Sequence, residues 1–400
     1  MKTFGKLMVM CMLVALLATA CGTKAAEPTA TTGTGAGPAS WLETNQLGEF
    51  FTLEQDWAAI EAAAKLEGKV VVYASSSRIE DQIAIWNEKY PDIVLEGYDT
   101  EGIPTKMEEE QNANNVIGDV WFTSDNMSLM GILAPKGMIL PFIPSEFASV
   151  LPTSPDQPFA VARYGGDVWF YNNEQNKTCP VKDWWEVVDG RYPNKVYYED
   201  PLAEADKISM FVTVIKHGDE MAAAYKESTG KEWTTDPDYD AEKTPNAGWL
   251  WIKKFAKSSN LVVMPGGDEI NEAMGSLGMT DTAGIGNNSY SKVRDTLKGE
   301  IAIWPCEGMK PVIGTSGMTL LGIANNSSHP NAAKLYIRFT LTPEGNEPWS
   351  VLGDWPGRTD LPAPEGAPAF ADAGLWPDDG LLMYQIGSQV RDFWTLNALK

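Results

Sequence analysis

Histidine is almost missing from this chain. His217 and His329 are the only two, and no HExxH or HxxxH spacing surrounds either, so zinc chemistry has little to build on. A GxSxG nucleophile elbow is also lacking; Gly314-Thr315-Ser316-Gly317 comes near one, in what reads as a loop leading into a strand. Basic residues are scarce: 31 Lys and Arg stand against 54 Asp and Glu, a net charge of -23. A field of that sign repels phosphate backbones and anionic headgroups, which excludes nucleic-acid binding and adhesion to membranes through basic patches. With so many acids, a pair of nearby carboxylates carries no weight as a sign of glycoside hydrolysis. Beyond the N-terminal segment no apolar run approaches the length of a membrane span.

What is present begins at that segment. Lys2 and Lys6, the apolar run Leu7–Leu17, and Ala18-Thr19-Ala20 before Cys21 make a secretory signal, since the apolar core is too short to cross a bilayer. The cysteine just after the cut resembles a bacterial lipoprotein box, although Leu17 stands one place further from it than in the commonest arrangement. That resemblance implies a signal peptide over 1–20, lipid on Cys21, and a position on the outer face of the cytoplasmic membrane, extracellular or periplasmic. Loss of Lys2 and Lys6 would take the charge from -23 to -25. Anchoring then rests on the lipid, whose several chains hold where one would not. Of the four cysteines, Cys11 leaves with the signal and Cys21 carries lipid; Cys179 and Cys306 remain, either as a disulfide or as two buried thiols.

About 380 residues follow the signal, enough for two cores. Residues 21–49 are assigned to a flexible tether, because Gly22–Ser40 holds Thr, Ala, Gly and Pro with few large apolar side chains to offset ordering entropy. A helix is expected over Leu53–Glu67, then a strand at Lys69–Ala74, an unbroken apolar run suited to burial on both faces. Helix Arg78–Tyr90, strand Ile93–Tyr98, helix Pro104–Asn114 and strand Asp119–Phe122 continue the alternation, which argues for a mostly parallel sheet. Further on, strands are expected at Val168–Tyr171, Lys195–Tyr198, Glu300–Trp304 and Met318–Ala324. Helices are expected at Lys207–Ile215, Gly218–Lys226, Gly248–Ser259 and Pro330–Leu341, with an irregular insertion at Gly230–Asn246.

The order of several phrases resembles the extracellular solute-binding proteins of ABC importers, in particular those similar to ferric-iron, polyamine and phosphonate binders. They are Glu67–Ser76, Tyr90-Pro91, Gly118–Phe122, Val168–Asn172, Glu199-Asp200-Pro201, Pro305–Gly308, His329–Ala333 and Trp355–Arg358. The resemblance implies an α/β, two-lobed periplasmic-binding-protein-like fold (type II), with mixed sheets, helices on both faces and a hinge of crossing strands. Lobe 1 would comprise 50–163 plus 307–400 and lobe 2 would comprise 164–306, with crossings at Tyr164–Asn172 and Ile303–Glu307. It also implies a monomer that binds one small solute, needs no cofactor, catalyses nothing and delivers to a membrane permease. A sensor in place of the permease is a variant of that reading. A tethered extracytoplasmic hydrolase is the alternative of another class.

In open α/β sheets ligands sit beyond the carboxyl ends of strands, where backbone donors converge. Ser75, Ser76 and Ser77 occupy such a turn and serve either as a binding turn or as helix caps; Thr123, Ser124 and Asp125 stand in the equivalent place after the next strand. Tyr164 and Tyr171, with Trp169, Trp304 and Trp355, offer rings near the expected crossings. Asp125, Asp200 and Glu307 are placed to neutralise a cationic group. By the resemblance, ferric-iron binders carry adjacent tyrosines where this chain has Tyr290 alone between serines, and both histidines read as surface helix residues. No metal ligand is therefore assigned, and a polar or zwitterionic organic solute (polyamine, phosphonate or sugar phosphate) ranks above ferric iron or a ferric chelate.

Overall fold

In the computed structural model the described residues are 39–398 except 101 and 204, so Cys21 and the signal segment lie outside them. The apolar run after Gly68 forms β1 (Lys69–Ala74), whose Val70, Val71, Val72, Tyr73 and Ala74 are all buried. At about 1.5–3 kcal/mol for each fully buried large apolar side chain, this one strand is a major contributor to the core. β2 (Val94–Asp99) and β3 (Val120–Thr123) flank it in parallel, as the alternation required. After the short β4 (Ile139–Leu140) comes the long β5 (Ala160–Asn172). Next are β6 (Val196–Glu199), β7 (Leu261–Met264), β8 (Ile285–Ser289) and β9 (Ile303–Pro305). β10 (Gly314–Ala324) is the second long strand, and β11 (Trp355–Pro356) and β12 (Leu375–Pro377) are short.

The strand order β2-β1-β3-β10-β5-β8-β6-β7 places two parallel triplets on either side of an antiparallel central pair. β5 pairs with β10 from Ala160 to Val168 and with β8 from Asp167 to Tyr171, so one continuous strand belongs to both halves of the sheet. This is the two-lobed type II fold with crossing strands. The second central strand is β10; β9 pairs only with the last residues of β5, Phe170 to Asn172. Two apolar clusters fill the fold, one confined to the first half and one that runs from that half, through Val71, Tyr73 and Trp121, into the other. One gathers Val70, Val72, Trp86, Phe122, Tyr336 and Trp349. The other is built on Trp169, Trp184, Tyr198, Phe211, Trp251 and Phe255, whose rings meet edge to face or offset.

Local chemistry shifts several expected boundaries. The first large helix starts at Trp57 and not at Leu53, because Asp56 caps it by accepting from the Ala59 N–H, and it ends at Gly68, whose φ of 75° suits glycine. Gly314-Thr315-Ser316-Gly317 lies within β10, not in a loop before it. The end of the segment read as tether is folded: Ser40 caps a helix at Trp41–Thr44, Leu47 is buried, and the Asn45 carbonyl accepts from Lys334 Nζ at 2.6 Å. His329 is not a surface helix residue. Its Nδ1 lies 2.9 Å from Asp119, a fully buried carboxylate that also accepts from Ser327 and from the Val71 N–H. Past Leu341, where no element was read from sequence, helices run over Pro343–Ser350 and Gly380–Ala398.

Cys179 and Cys306 form a disulfide with Cα atoms 5.0 Å apart and a sequence separation of 127. Closing so long a loop restricts the unfolded chain, so the double variant C179S/C306S is expected to lose about 3–5 kcal/mol of stability. Denaturant titration of the two proteins measures this, and equal midpoints would contradict it.

Candidate functional site

A cleft of about 630 Å³ opens where β5 and β10 cross. Its floor is Gly165, Gly166 and Asp167 of β5 with Thr315, Ser316, Gly317 and Thr319 of β10; Gly165 and Gly317 face each other in register. A Cβ placed on Gly317 would meet no heavy atom within 4 Å, so this glycine leaves the floor open. The walls come from three helices: Asn126–Ser128, Ala205–Lys216 and Gly380–Ala398. Among the described residues no aromatic side chain lines the cleft.

Charge in the cleft is organised around two cations. Lys207 is 2% exposed and lies 3.1 Å from Asp167, 3.3 Å from Glu199 and 3.1 Å from Asp206. Burial opposes its charge, yet the surrounding carboxylates hold its proton well above the ordinary lysine range. Burial in turn raises Asp167 and Glu199, with Lys207 pulling them back. Arg163 pairs with Asp354, leaving its Nε buried without a partner. Asp378 has no such cation beside it. Burial lifts its carboxyl to about 7, partly offset by the amide of Asn126 and the Met318 N–H.

Three residues of this lining carry a buried polar atom with no hydrogen-bond partner among the described residues: Arg163 Nε, Asn126 Oδ1 and Asp378 Oδ1. Ser316 Oγ, also unpaired, is on the opposite face of β10, the face it shares with Gly166. The lining side chains include a guanidinium, carboxylates and hydroxyls, which suit polar groups on a solute.

Of the residues singled out from sequence, Ser124 and Asp125 line the cleft. Ser75 is beside them, its Oγ accepting from the Ser124 N–H at 3.3 Å, and Thr123 is buried with its Oγ1 accepting from Asp125 N–H. Ser76 accepts from Trp349 Nε1 at 3.1 Å, and Ser77 is exposed at the same turn. Nine of the eleven lie outside the lining, these four and the five that follow. Tyr164 stacks on Phe370 at 3.9 Å, and Tyr290 packs on Trp355 with its hydroxyl 3.4 Å from the Gly366 carbonyl. Burial pushes both phenols up to about 12 and also raises that of Tyr171. Asp200 accepts from the Leu202 N–H, shaping a turn, and exposed Glu307 accepts from Trp304 Nε1. Among the described residues no group of three or more His, Cys, Asp or Glu is gathered to hold a metal ion. Sequence reasoning did not single out Arg163, Asp167, Asn126 or Asp378, and it met Ser316 only within the Gly314–Gly317 run.

A bilobal α/β fold with a cleft at its crossing strands defines a solute-binding protein of the periplasmic-binding-protein type. The chain belongs to the bacterial extracellular solute-binding protein family, which it matches over residues 82–375. The role of such proteins is to bind, not to catalyse. Solved structures share the fold: iron-bound HitA from Pseudomonas aeruginosa has 16% identity and a TM-score of 0.60, covering 83% of this chain and 99% of that one. The Trichodesmium protein IdiA (FutA), in complex with iron and citrate, has 13% identity and a TM-score of 0.57, covering 83% and 100%. Apo ferric ion-binding protein A of Pasteurella haemolytica has 14% identity and a TM-score of 0.60, covering 83% and 99%. No curated protein sequence matches the chain. Among the described residues no helix is long and apolar enough to cross a membrane.

Proposed function

We propose that this protein is the solute receptor of an ABC importer, anchored through lipid on Cys21 at the outer face of the cytoplasmic membrane. Its lobes, 50–163 plus 307–400 and 164–306, close over one solute and present it to the permease. Closure of this kind needs only a ligand that binds the closed arrangement better than the open one. The observation that carries the reading is the cleft at β5 and β10, lined by both long central strands and by helices on either side of them.

For the ligand, the shared fold of iron-bound and iron–citrate-bound proteins favours iron over the organic solutes ranked first from sequence. The chemistry of this cleft supports iron in the form of an organic chelate. Among the described residues its lining has no phenol, no histidine and no gathered metal ligands, whereas its guanidinium, carboxylates and hydroxyls suit the polar periphery of a chelator. The second reading, an unmetallated polar organic solute, is favoured by the same atoms.

Calorimetry with ferric salt alone, with ferric chelates and with metal-free polyamines, phosphonates and sugar phosphates separates these. Gly317→Phe sets its Cβ where no heavy atom lies within 4 Å and is expected to weaken binding at least about tenfold by occupying the floor, with a melting temperature close to that of the parent. Undiminished binding by G317F would remove the cleft as the site. A visible phenolate-to-iron absorption band on adding ferric salt without chelator would instead establish direct ligation and overturn the chelate reading.

A further inference from the structure

Two glycines of the cleft floor have no structural reason to be glycine. Gly165 of β5 and Gly317 of β10 are paired across the two central strands and lie inside both, where glycine weakens a strand. Neither has a φ in the left-handed region. Neither is crowded: a Cβ on Gly317 would meet no heavy atom within 4 Å, and one on Gly165 only Asp354 Oδ1 at 3.7 Å, an ordinary contact. Their neighbours differ. A Cβ on Gly166 would press on Leu375 and Trp355 at 3.2 Å, and one on Gly314 would run into the Asp167 carbonyl at 2.0 Å, so packing demands those two. A strand-interior glycine that neither backbone nor packing demands marks a surface which another molecule approaches down to the peptide plane.

Strand alternation puts Arg163, Gly165 and Asp167 of β5 on the face that Thr315, Gly317 and Thr319 of β10 share, the face turned to the cleft. The bare glycine pair is thus framed by Arg163 with Thr319 at one end and by Asp167 with Thr315 at the other, about 13 Å apart between Cα atoms at ~3.3 Å per residue. Among the described residues the hydroxyls of Thr315 and Thr319 have no hydrogen-bond partner, and unlike Ser316 Oγ both keep exposed surface. The walls bring Met127, Met210 and Met383 to the cavity, and a thioether packs well against an aromatic ring.

We infer that this floor receives a flat conjugated ring of the solute, laid on the peptide planes of Gly165 and Gly317, with polar groups on its rim hydrogen-bonded to Thr315 and Thr319 and methionine side chains packed against it. The inference deepens the cleft reading and rests on it, and it holds whether the ring belongs to a metal-free solute or to a ferric chelator. Two neighbouring strands without Cβ atoms form a flat patch, and dispersion falls off steeply with distance. A planar ring meets that patch over its whole face; a puckered ring or branched chain touches it only at isolated atoms.

The test is a binding panel run by calorimetry and thermal shift on the parent, G165A, G317A, T319V and G317F. Thiamine, pyridoxine, 2,3-dihydroxybenzoate and the ferric complex of the last carry flat conjugated rings; glucose, spermidine and ferric citrate do not. The expected result is that at least one flat probe binds the parent, is weakened about tenfold or more by G165A and by G317A, whose methyls lift the ring off the floor, and is weakened several-fold by T319V. Both alanine variants are expected to melt at or above the parental temperature, because alanine loses less chain entropy than glycine on folding. A flat probe bound equally by the parent and both alanine variants would overturn the ring. So would a lowered melting temperature in both, which would make the glycines structural, or no binding by any flat probe. Binding of only glucose, spermidine or ferric citrate, weakened by G317F, would overturn the ring and leave the cleft reading standing. Binding of a probe undiminished in G317F would remove the cleft and the ring with it.

Discussion

Lys207→Met is expected to be the most destabilising single substitution near the cleft, costing about 3–5 kcal/mol at neutral pH, the range for breaking a buried ion pair by removing one partner. The ammonium sits at 3.1–3.3 Å from the carboxylates of Asp167, Glu199 and Asp206, and its removal leaves Asp167 and Glu199 facing each other with no cation between them. Burial already raises both acids with Lys207 in place, so without it their folded-state values rise further. A carboxyl whose folded value exceeds its unfolded one loses stability as pH climbs through the interval between the two. The variant is therefore expected to approach parental stability near pH 4 and to fall furthest behind at pH 8. Urea titrations at the two pH values measure this, and a deficit independent of pH would mean that Lys207 acts through packing alone. Because Asp167 belongs to the crossing strand β5 and Lys207 to the Ala205–Lys216 helix, this network also fixes one wall of the cleft against its floor.

Asp378→Asn has the opposite expected sign. Burial raises this carboxyl from an ordinary value of 3.8 to about 7, with Asp379 adding to the rise and Asn126, the Met318 N–H and Lys216 opposing it. The folded protein thus keeps a proton that the unfolded chain releases, and this group's contribution to stability declines as pH rises from about 4 to 7 and stays low above that. An amide carries no charge to desolvate. D378N is expected to gain up to about 4 kcal/mol over the parent at pH 8 and to match it near pH 4, the upper figure following from 1.36 kcal/mol for each pH unit of displacement. Chemical denaturation of the ligand-free proteins across that range tests it; a parent more stable than D378N at pH 8 would show that the carboxylate is already well solvated or paired.

Much of the fold was legible because it is written in contiguous runs. Lys69–Ala74 is apolar at every interior position, which only a strand covered on both faces accommodates, and the serines and Asp125 after β1 and β3 mark strand ends where ligand-facing turns occur. β5 was seen only in its last residues, since Gly165-Gly166 interrupts the pattern that would have extended it back to Ala160. The same glycines are the cleft floor, so the feature that hid the strand is the one the cavity requires.

The sequence by itself determined the class of molecule: an acidic α/β chain patterned as a solute-binding protein. Tertiary structure alone decided the chemistry of the pocket. The Asn126–Met318 and Asn126–Asp378 contacts join residues 192 and 252 positions apart, and a hydrogen bond missing at Ser316 or Arg163 is a property of surroundings that no local pattern records. Tyr290 shows the converse. Its position in the chain suggested a ligand, but packing against Trp355 places the phenol outside the cleft lining, because burial is fixed by neighbours distant in sequence.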